Sequence, residues 1–543
     1  MSDSTGQKVV NPKVLLRNGD SQPWFGIDKK ELCRLVNDKS GNPAIRLDFC
    51  TELHGAIQLT TSSSNRITSK VRIRLGESVS EAMSDVDGNS KEKGGATNHH
   101  SMRDYEVTLP GYGTLEIGNS GYRFARIELA DTTVKEIAFK EIRAVAVMRN
   151  IPYLGSFTCS DTLLNKIWST RAYTVHLCMQ DYLLDGIKRD RMVWMGDMHP
   201  EVMTINSVFG NQNIVPKSLD FCRNTTPLPQ WINGISTYSM WWVIAQYDWY
   251  RYQGNLPYLK EQKSYLTGLL KLLLNQVDSL GRESVNEKMR FLDWPSSENP
   301  KAIHAGMQAL LLMSLIRGGE LCRILEDKDT AEKCFRMTAR MKQYIPDAND
   351  SKQAASLMAL AGMMSPEKAD KEVISIGGAK NFSTYYGYYM LQAQALAGNY
   401  QGAIDNIRQF WGGMLKLGAT TFWEDFNLDW TTNAAGITEI VPAGKKDIHR
   451  DFGAYCYKQL RHSLCHGWST GPTAWLSQHV LGITPLEPGC QSVRIVPHLG
   501  DLQWVEGTFP TSLGVIKVRH EKKPDGSVQS KIDAPKGIRI VRR

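Results

Sequence analysis

The chain has 543 residues, of which 42% are hydrophobic and 22% charged, with a formal net charge of +8; this is the composition of a soluble globular protein and excludes disordered and fibrous classes. At about 100–200 residues per domain, roughly three domains are expected. The positive charge is spread along the chain apart from Arg539, Arg542 and Arg543, so no nucleic-acid partner is implied, and the longest apolar runs, such as 307–316, fall short of the roughly 18 residues a membrane span needs.

Ten cysteines show no C-x-x-C spacing, so neither a zinc knuckle nor a dithiol redox pair is indicated and most are expected as buried thiols. The first residues lack the apolar stretch of a secretory leader, which leaves a cytoplasmic protein, or a periplasmic or secreted one whose leader has been removed.

Residues 1–155 read as a β-sandwich domain. Segment 67–75 alternates, with Val71, Ile73 and Leu75 on one face and Lys70, Arg72 and Arg74 on the other, and 116–129 and 136–148 carry similar β-branched or aromatic runs. Between them, 77–104 is rich in Ser, Gly, Asn and charge and is expected as a long mobile loop. His99 and His100 lie in it without nearby acidic or sulfur ligands, so a loop reading outweighs a metal site.

At Ser160-Asp161 a polar cap precedes apolar residues 163, 164, 167 and 168, which predicts a helix. Helical stripes recur through 259–277, 302–316, 330–344, 352–363, 384–397 and 400–416, separated by short Gly, Asn and Pro breaks. Repeated hairpins over 156–484 predict an all-α (α/α)6 barrel, with an open solenoid as the structural alternative. From about 485 short alternating segments return, with a turn at Pro524-Asp525-Gly526, and predict a C-terminal β-sandwich over 485–543.

Within the helical domain, Asp185-Gly-Ile-Lys-Arg189-Asp190-Arg191-Met-Val-Trp194-Met-Gly-Asp197 concentrates three carboxylates, two arginines and a tryptophan. Gly186 and Gly196 interrupt helical propensity, so the segment is expected as a loop facing a cleft. A solvated, salt-bridged turn is the bland alternative, but Trp194 amid the charges suits a sugar-binding wall better. A second such stretch is Ala419-Thr-Thr-Phe-Trp423-Glu424-Asp425, although a helix-end pairing of Glu424 explains that segment alone equally well. An aromatic-lined funnel with several carboxylates suits glycoside hydrolysis, in which one carboxylic acid protonates the leaving oxygen and another carboxylate activates water or attacks.

These motifs resemble those of glycoside hydrolase family 78, the α-L-rhamnosidases, which are six-hairpin glycosidases. The first stretch is similar to D-x-x-x-R-E-R-x-x-W-x-G-D, Ala419 to Glu424 to A-T-T-x-W-E, Ser463-Leu464-Cys465-His466 to S-L-N-H, and Asp293-Trp294 to a G-D-W motif. The resemblance runs in order from about 155 to 520 and implies an (α/α)6 barrel between β-sandwiches, an inverting mechanism and a glycan or glycoside substrate bearing terminal α-L-rhamnose, with no cofactor and no metal. Carried over position by position, it makes Asp190 the general acid and Glu424 the general base, with Asp185, Arg189, Trp194, Asp197, Asp293, Trp294 and His466 on sugar-contact positions. Three departures stand out. Asp190 occupies a position usually held by Glu and is shorter by about 1.5 Å. Cys465 replaces Asn, and His199-Pro200-Glu201 is an unusual continuation that makes Glu201 a reserve acid. Another (α/α)6 carbohydrate enzyme, whether a different α-L-glycosidase, a uronic-acid hydrolase or a lyase, is the enzymatic alternative; a catalytically silent carbohydrate-binding homologue is the alternative from another class.

Overall fold

The computed structural model describes residues 8–10, 32–38, 42–62, 67–84, 103–457 and 459–542; the His99-His100 pair and the 85–102 part of the expected loop lie outside them. The N-terminal region is built on one seven-stranded antiparallel sheet. Its order is Lys8–Val10, Glu136–Ala146, Ala44–Thr61, Gly113–Leu129, Ser69–Gly76, Asp104–Leu109, and Cys33–Val36 also pairs with Glu136–Ala146. Val71, Ile73 and Leu75 are fully buried, as their alternation requires. On the opposite face Arg72 forks onto Asp104, but Arg74 is buried as well, because Glu128 meets its guanidinium at 3.1 Å.

The stretch after this strand departs from the expected mobile loop. Ser78 accepts a hydrogen bond from the Glu81 amide and caps a short helix, Val79–Met83, whose Val79 and Ala82 are buried. Its Ser and Glu content reads as solvated loop, yet these are capping residues whose polar groups are satisfied inside the protein.

Six helices close a ring by successive contact: Met195–Val208, Ser236–Gln253, Pro300–Ile324, Lys352–Leu360, Gly387–Leu396, and Gly471–Trp475, which packs back on the first. Thr162–Cys178, Ile214–Thr225, Leu256–Leu274, Lys328–Met341 and Tyr400–Lys416 each pack on members of this ring, so the domain is a closed helical ring with further helices against it rather than an open solenoid. Local chemistry explains the short hairpin turns. Asp161, Asn255, Asn299, Asp327, Ser351 and Asn399 each accept an amide hydrogen bond at a helix start, which satisfies donors the helix leaves free. Gly254 ends one helix at φ +68°, a left-handed conformation that favours glycine.

The C-terminal region carries two sheets. One joins Ile483–Pro485, Ser492–Ile495 and Arg539–Val541; the other joins Val528–Asp533, Gly514–Lys522, Trp504–Thr511 and Ser156–Cys159. The last strand comes from the start of the helical region, which is thereby paired through its backbone with the C-terminal region. The expected turn at 524–526 is present, with the Gly526 amide on the Lys523 carbonyl at 2.9 Å. No helix among the described residues is long and apolar enough to cross a membrane.

Candidate functional site

Residues 185–194 form an irregular segment that is fixed by its own first side chain. One Asp185 oxygen accepts the Asp190 amide at 2.8 Å and the other the Met192 amide at 2.9 Å. Gly186 is required here, because a Cβ would lie 2.6 Å from the Arg189 carbonyl and 2.9 Å from that of Cys465. The expectation of a loop through 197 needs correction: Met195, Gly196 and Asp197 begin the helix Met195–Val208. Gly196 serves close packing rather than a break, since a Cβ would meet the Tyr238 ring at 2.2 Å.

The turn, the Glu424 segment and the 463–468 segment enclose a cavity of about 260 Å³. Asp185, Asp190, Trp194, Asp197, Trp294, Glu424 and His466 line it, so seven of the nine anticipated side chains are brought together. Arg189 lies beneath the cavity. One of its terminal nitrogens donates to Asp190 at 2.8 Å and the other to both Glu424 oxygens at 2.5 and 2.6 Å, while its Nε donates to the Arg461 carbonyl and its face lies 3.7 Å from the Tyr457 ring. Burial works against this cation, but the Glu424, Tyr457 and Asp190 partners outweigh it and hold the group charged. Two carboxylates bonded to one guanidinium have oxygens no more than about 8 Å apart.

Asp293 does not line the cavity. It is buried, accepts hydrogen bonds from Ser296, Gln353 and Ser383, and caps the turn Trp294–Ser296; it therefore aims Trp294 rather than meeting a ligand. Glu201 is also outside the lining, fully buried against Gly467 with no hydrogen-bond partner on either oxygen. Burial pushes its carboxyl up, which makes it a neutral core group. Cys465 is buried away from the cavity. Arg191 turns to the N-terminal sheet and donates to the Asn119 carbonyl at 2.6 Å.

Protonation inside the cavity is uneven. Burial, then the Asp190 charge, raises Asp185 to about 7, and burial with Asp185 and Glu424 places Asp197 well above the ordinary carboxylate range. His466, 3.7 Å from Asp185, Asp197 and Glu424, is held neutral by burial and by Arg189. The site thus combines an ion-paired carboxylate pair with two carboxyls shifted toward their protonated form and an imidazole shifted toward its neutral one, groups that donate and accept hydrogen bonds as sugar hydroxyls require. Asp185, Asp197 and His466 also offer three ligand atoms within 4.8 Å of one another, as do Glu77, Glu81 and His449. In the second group the Lys188 ammonium already takes a cation's place, 2.9 Å from Glu77 and 3.2 Å from Glu81.

Sequence reasoning missed the rest of the lining: Ile235, Tyr238, Lys288, Arg290, Phe291, Tyr457 and Trp468. Trp468 and Phe291 adjoin motif residues and were within reach of the pattern. The others carry no local signal. Trp194, Tyr238, Phe291, Trp294 and Tyr457 follow one another edge to face at centroid distances of 5.2–6.3 Å and form a continuous apolar wall.

Residues 152–376 match the family model of the bacterial α-L-rhamnosidase six-hairpin glycosidase domain, and residues 482–541 that of the bacterial α-L-rhamnosidase C-terminal domain. No curated protein sequence matches the chain. Among solved structures, the chain is similar to the GH78 rhamnosidase of Bacillus sp. GL1, with a TM-score of 0.74 at 21% identity over 94% of this chain and 54% of that one. It is also similar to the rhamnosidase of Klebsiella oxytoca with rhamnose bound, with a TM-score of 0.67 at 21% identity over 81% and 88%. A third is the α-L-rhamnosidase of Streptomyces avermitilis complexed with L-rhamnose, with a TM-score of 0.71 at 16% identity over 93% and 49%. The chain therefore shares their fold and spans about half the length of the Bacillus and Streptomyces proteins.

Proposed function

We propose that this chain, whose residues 152–376 and 482–541 match the bacterial α-L-rhamnosidase six-hairpin glycosidase and C-terminal domain models, is an inverting glycoside hydrolase that removes terminal α-L-rhamnose from a glycan or glycoside. The observation that carries the proposal is the cavity of about 260 Å³ lined by both Asp190 and Glu424, with the Arg189 guanidinium bonded to the two carboxylates beneath it. Glu424 is the base that activates water, and Asp190 is the acid that protonates the leaving oxygen. Asp185, Asp197 and His466 hold the sugar hydroxyls, and Trp194 and Trp294 face the C6 methyl of the 6-deoxy sugar. Arg189 keeps both reacting carboxyl groups aimed, and Asp293 sets the Trp294 turn. The bound of about 8 Å admits both the 5–5.5 Å of a retaining pair and part of the 6.5–9.5 Å range of an inverting one, so the anomer released first decides between them.

A second assignment of the acid has its own support. Asp197 lines the same cavity and retains its proton, whereas Asp190 is paired with Arg189. The overall reaction is tested by proton NMR of an aryl α-L-rhamnoside digest before mutarotation. Initial release of the β-anomer is expected, and Glu424→Gln should abolish it. Release of the α-anomer first, an unsaturated product absorbing in the ultraviolet, or tight rhamnoside binding without turnover would each replace the proposal.

A further inference from the structure

The N-terminal sheet sends one side chain into the catalytic region. Glu77 follows the strand Ser69–Gly76 and is fully buried, and the Glu81 side chain accepts its amide at 2.8 Å. The turn is locked into the helical domain by the Val79 amide on the Ile437 carbonyl at 2.9 Å and by Ser78 on His449 at 2.7 Å. From this position one Glu77 oxygen accepts the Leu464 amide at 2.7 Å and lies 2.9 Å from the Lys188 ammonium. That ammonium in turn donates to the carbonyls of His462 at 2.7 Å and Leu460 at 3.1 Å.

The segment 460–464 therefore has two bonded faces. Glu77 and Lys188 hold one. On the other, the Ser463 amide donates to Glu424 at 3.0 Å, the Glu424 amide donates to the Ser463 carbonyl at 2.9 Å, and Arg189 donates to the Arg461 carbonyl. Lys188 and Arg189 are neighbours in sequence and reach opposite faces of the same segment. No other contact among these ties the Leu464 amide, and a buried amide that loses its acceptor drives the backbone to move.

We propose that Glu77, supplied by the N-terminal sheet, is a positioning residue for Glu424 and acts through Lys188 and the 463–464 backbone. The proposal rests on the reading of Glu424 as the base. It makes the N-terminal sheet part of the active site's support: the sheet fixes where the base points, and a misplacement of about 1 Å at a reacting group can cost on the order of a hundredfold in rate.

The test is a pH–rate series on the full chain with Glu77→Ala, Glu77→Asp and Glu77→Gln, beside Arg123→Met. Arg123 contacts the Gly418 carbonyl across the same domain boundary and does not touch 460–464. Glu77→Ala should lower kcat by about ten- to a hundredfold with KM changed less than about twofold. It should also move the acid limb of the kcat/KM profile upward by about half a unit or more, because a carboxylate that loses an amide donor is less readily ionised. Glu77→Asp draws the carboxylate back by about 1.5 Å from the Leu464 amide and should move the limb in the same direction. Glu77→Gln keeps an acceptor for Leu464 and should recover most of kcat. Arg123→Met should lower Tm and leave both limbs in place. The titratable and charged groups facing Glu424 are Arg189, Asp190, His466, Asp197, Asp425, Tyr457, Cys456 and His462, and none is altered in these variants. A folded Glu77→Ala or Glu77→Asp protein with the parent's kcat and acid limb, in a background where Glu424→Gln is inactive, overturns the positioning role. A Glu424→Gln protein that retains activity overturns the base reading instead.

Discussion

Asp190 and Glu424 share one arginine, yet the acid and base roles proposed for them differ in how they depend on the leaving group. Protonation by an acid matters in proportion to the basicity of the departing oxygen, whereas activation of water does not. Asp190→Asn should lose on the order of 10²–10⁴-fold on an alkyl or sugar rhamnoside and far less on a nitrophenyl one, and Glu424→Gln should lose similarly on both. Equal losses for Asp190→Asn on both substrates, with the leaving-group dependence appearing in Asp197→Asn, would transfer the acid to Asp197. A neighbouring residue carries a different prediction. Burial, opposed by the Tyr455 hydroxyl and helped by Glu424, raises the Asp425 carboxyl to about 7, above the value near 4 of the unfolded chain. Stability from this group is complete below about pH 4 and is lost as pH rises through about 7. Asp425→Asn stays neutral throughout. Urea unfolding across pH 4–7 should therefore show the parent losing on the order of 2–4 kcal/mol relative to the variant, and a constant difference would mean that Asp425 is ionised in the fold.

At the scale of elements, the helix Met195–Val208 brings Asp197 under the cavity only because Gly196 lets it approach Tyr238. Gly196→Ala should push the Tyr238 ring away and cost about 1–3 kcal/mol as overpacking, and it should reduce kcat/KM as well, since Tyr238 both lines the cavity and donates to Asp197. Thermal melts and rhamnoside kinetics check the two halves separately; a lowered Tm with unchanged kcat/KM would show that the Tyr238 wall does not bear on the sugar. The same helix shows what sequence could and could not reveal. Helices that begin with Asp161, Asn299, Ser351 or Asn399 have a polar cap followed by an apolar stripe and were readable as such. Gly196 was read as a breaker because glycine's local preference is visible in sequence and its packing partner, 42 residues on, is not. The motif carboxylates and tryptophans are likewise legible in sequence as a cluster, and seven of nine line one cavity, whereas Tyr457, Lys288 and Ile235 enter it through tertiary approach alone. The strand Ser156–Cys159 is four residues long and finds its partner about 350 residues later, and the helix Val79–Met83 is written in Ser and Glu, so neither carried a periodic pattern to detect.

For the whole molecule, three regions depend on one another. The N-terminal sheet anchors the Glu424 support, and the C-terminal sheet takes in Ser156–Cys159, whose Phe157 and Cys159 are buried there. A chain ending at residue 484 would leave that strand's edge unpaired and uncover apolar residues of the helical domain that pack on Val505 and Phe509. It should be recovered as aggregate, and a monodisperse, cooperatively melting 1–484 protein by gel filtration and calorimetry would contradict this. The ring of helices closes in the same late fashion, since Gly471–Trp475 must reach back to Met195–Val208. On a ribosome, where residues emerge in order, the ring cannot close until Gly471–Trp475 has left the exit tunnel, nor the sheet at its foot until Trp504–Thr511 has followed. Until then the cavity lined by Asp190 and Glu424 stays open on one side, and yield in a cell should depend on how long chaperones can shield that opening.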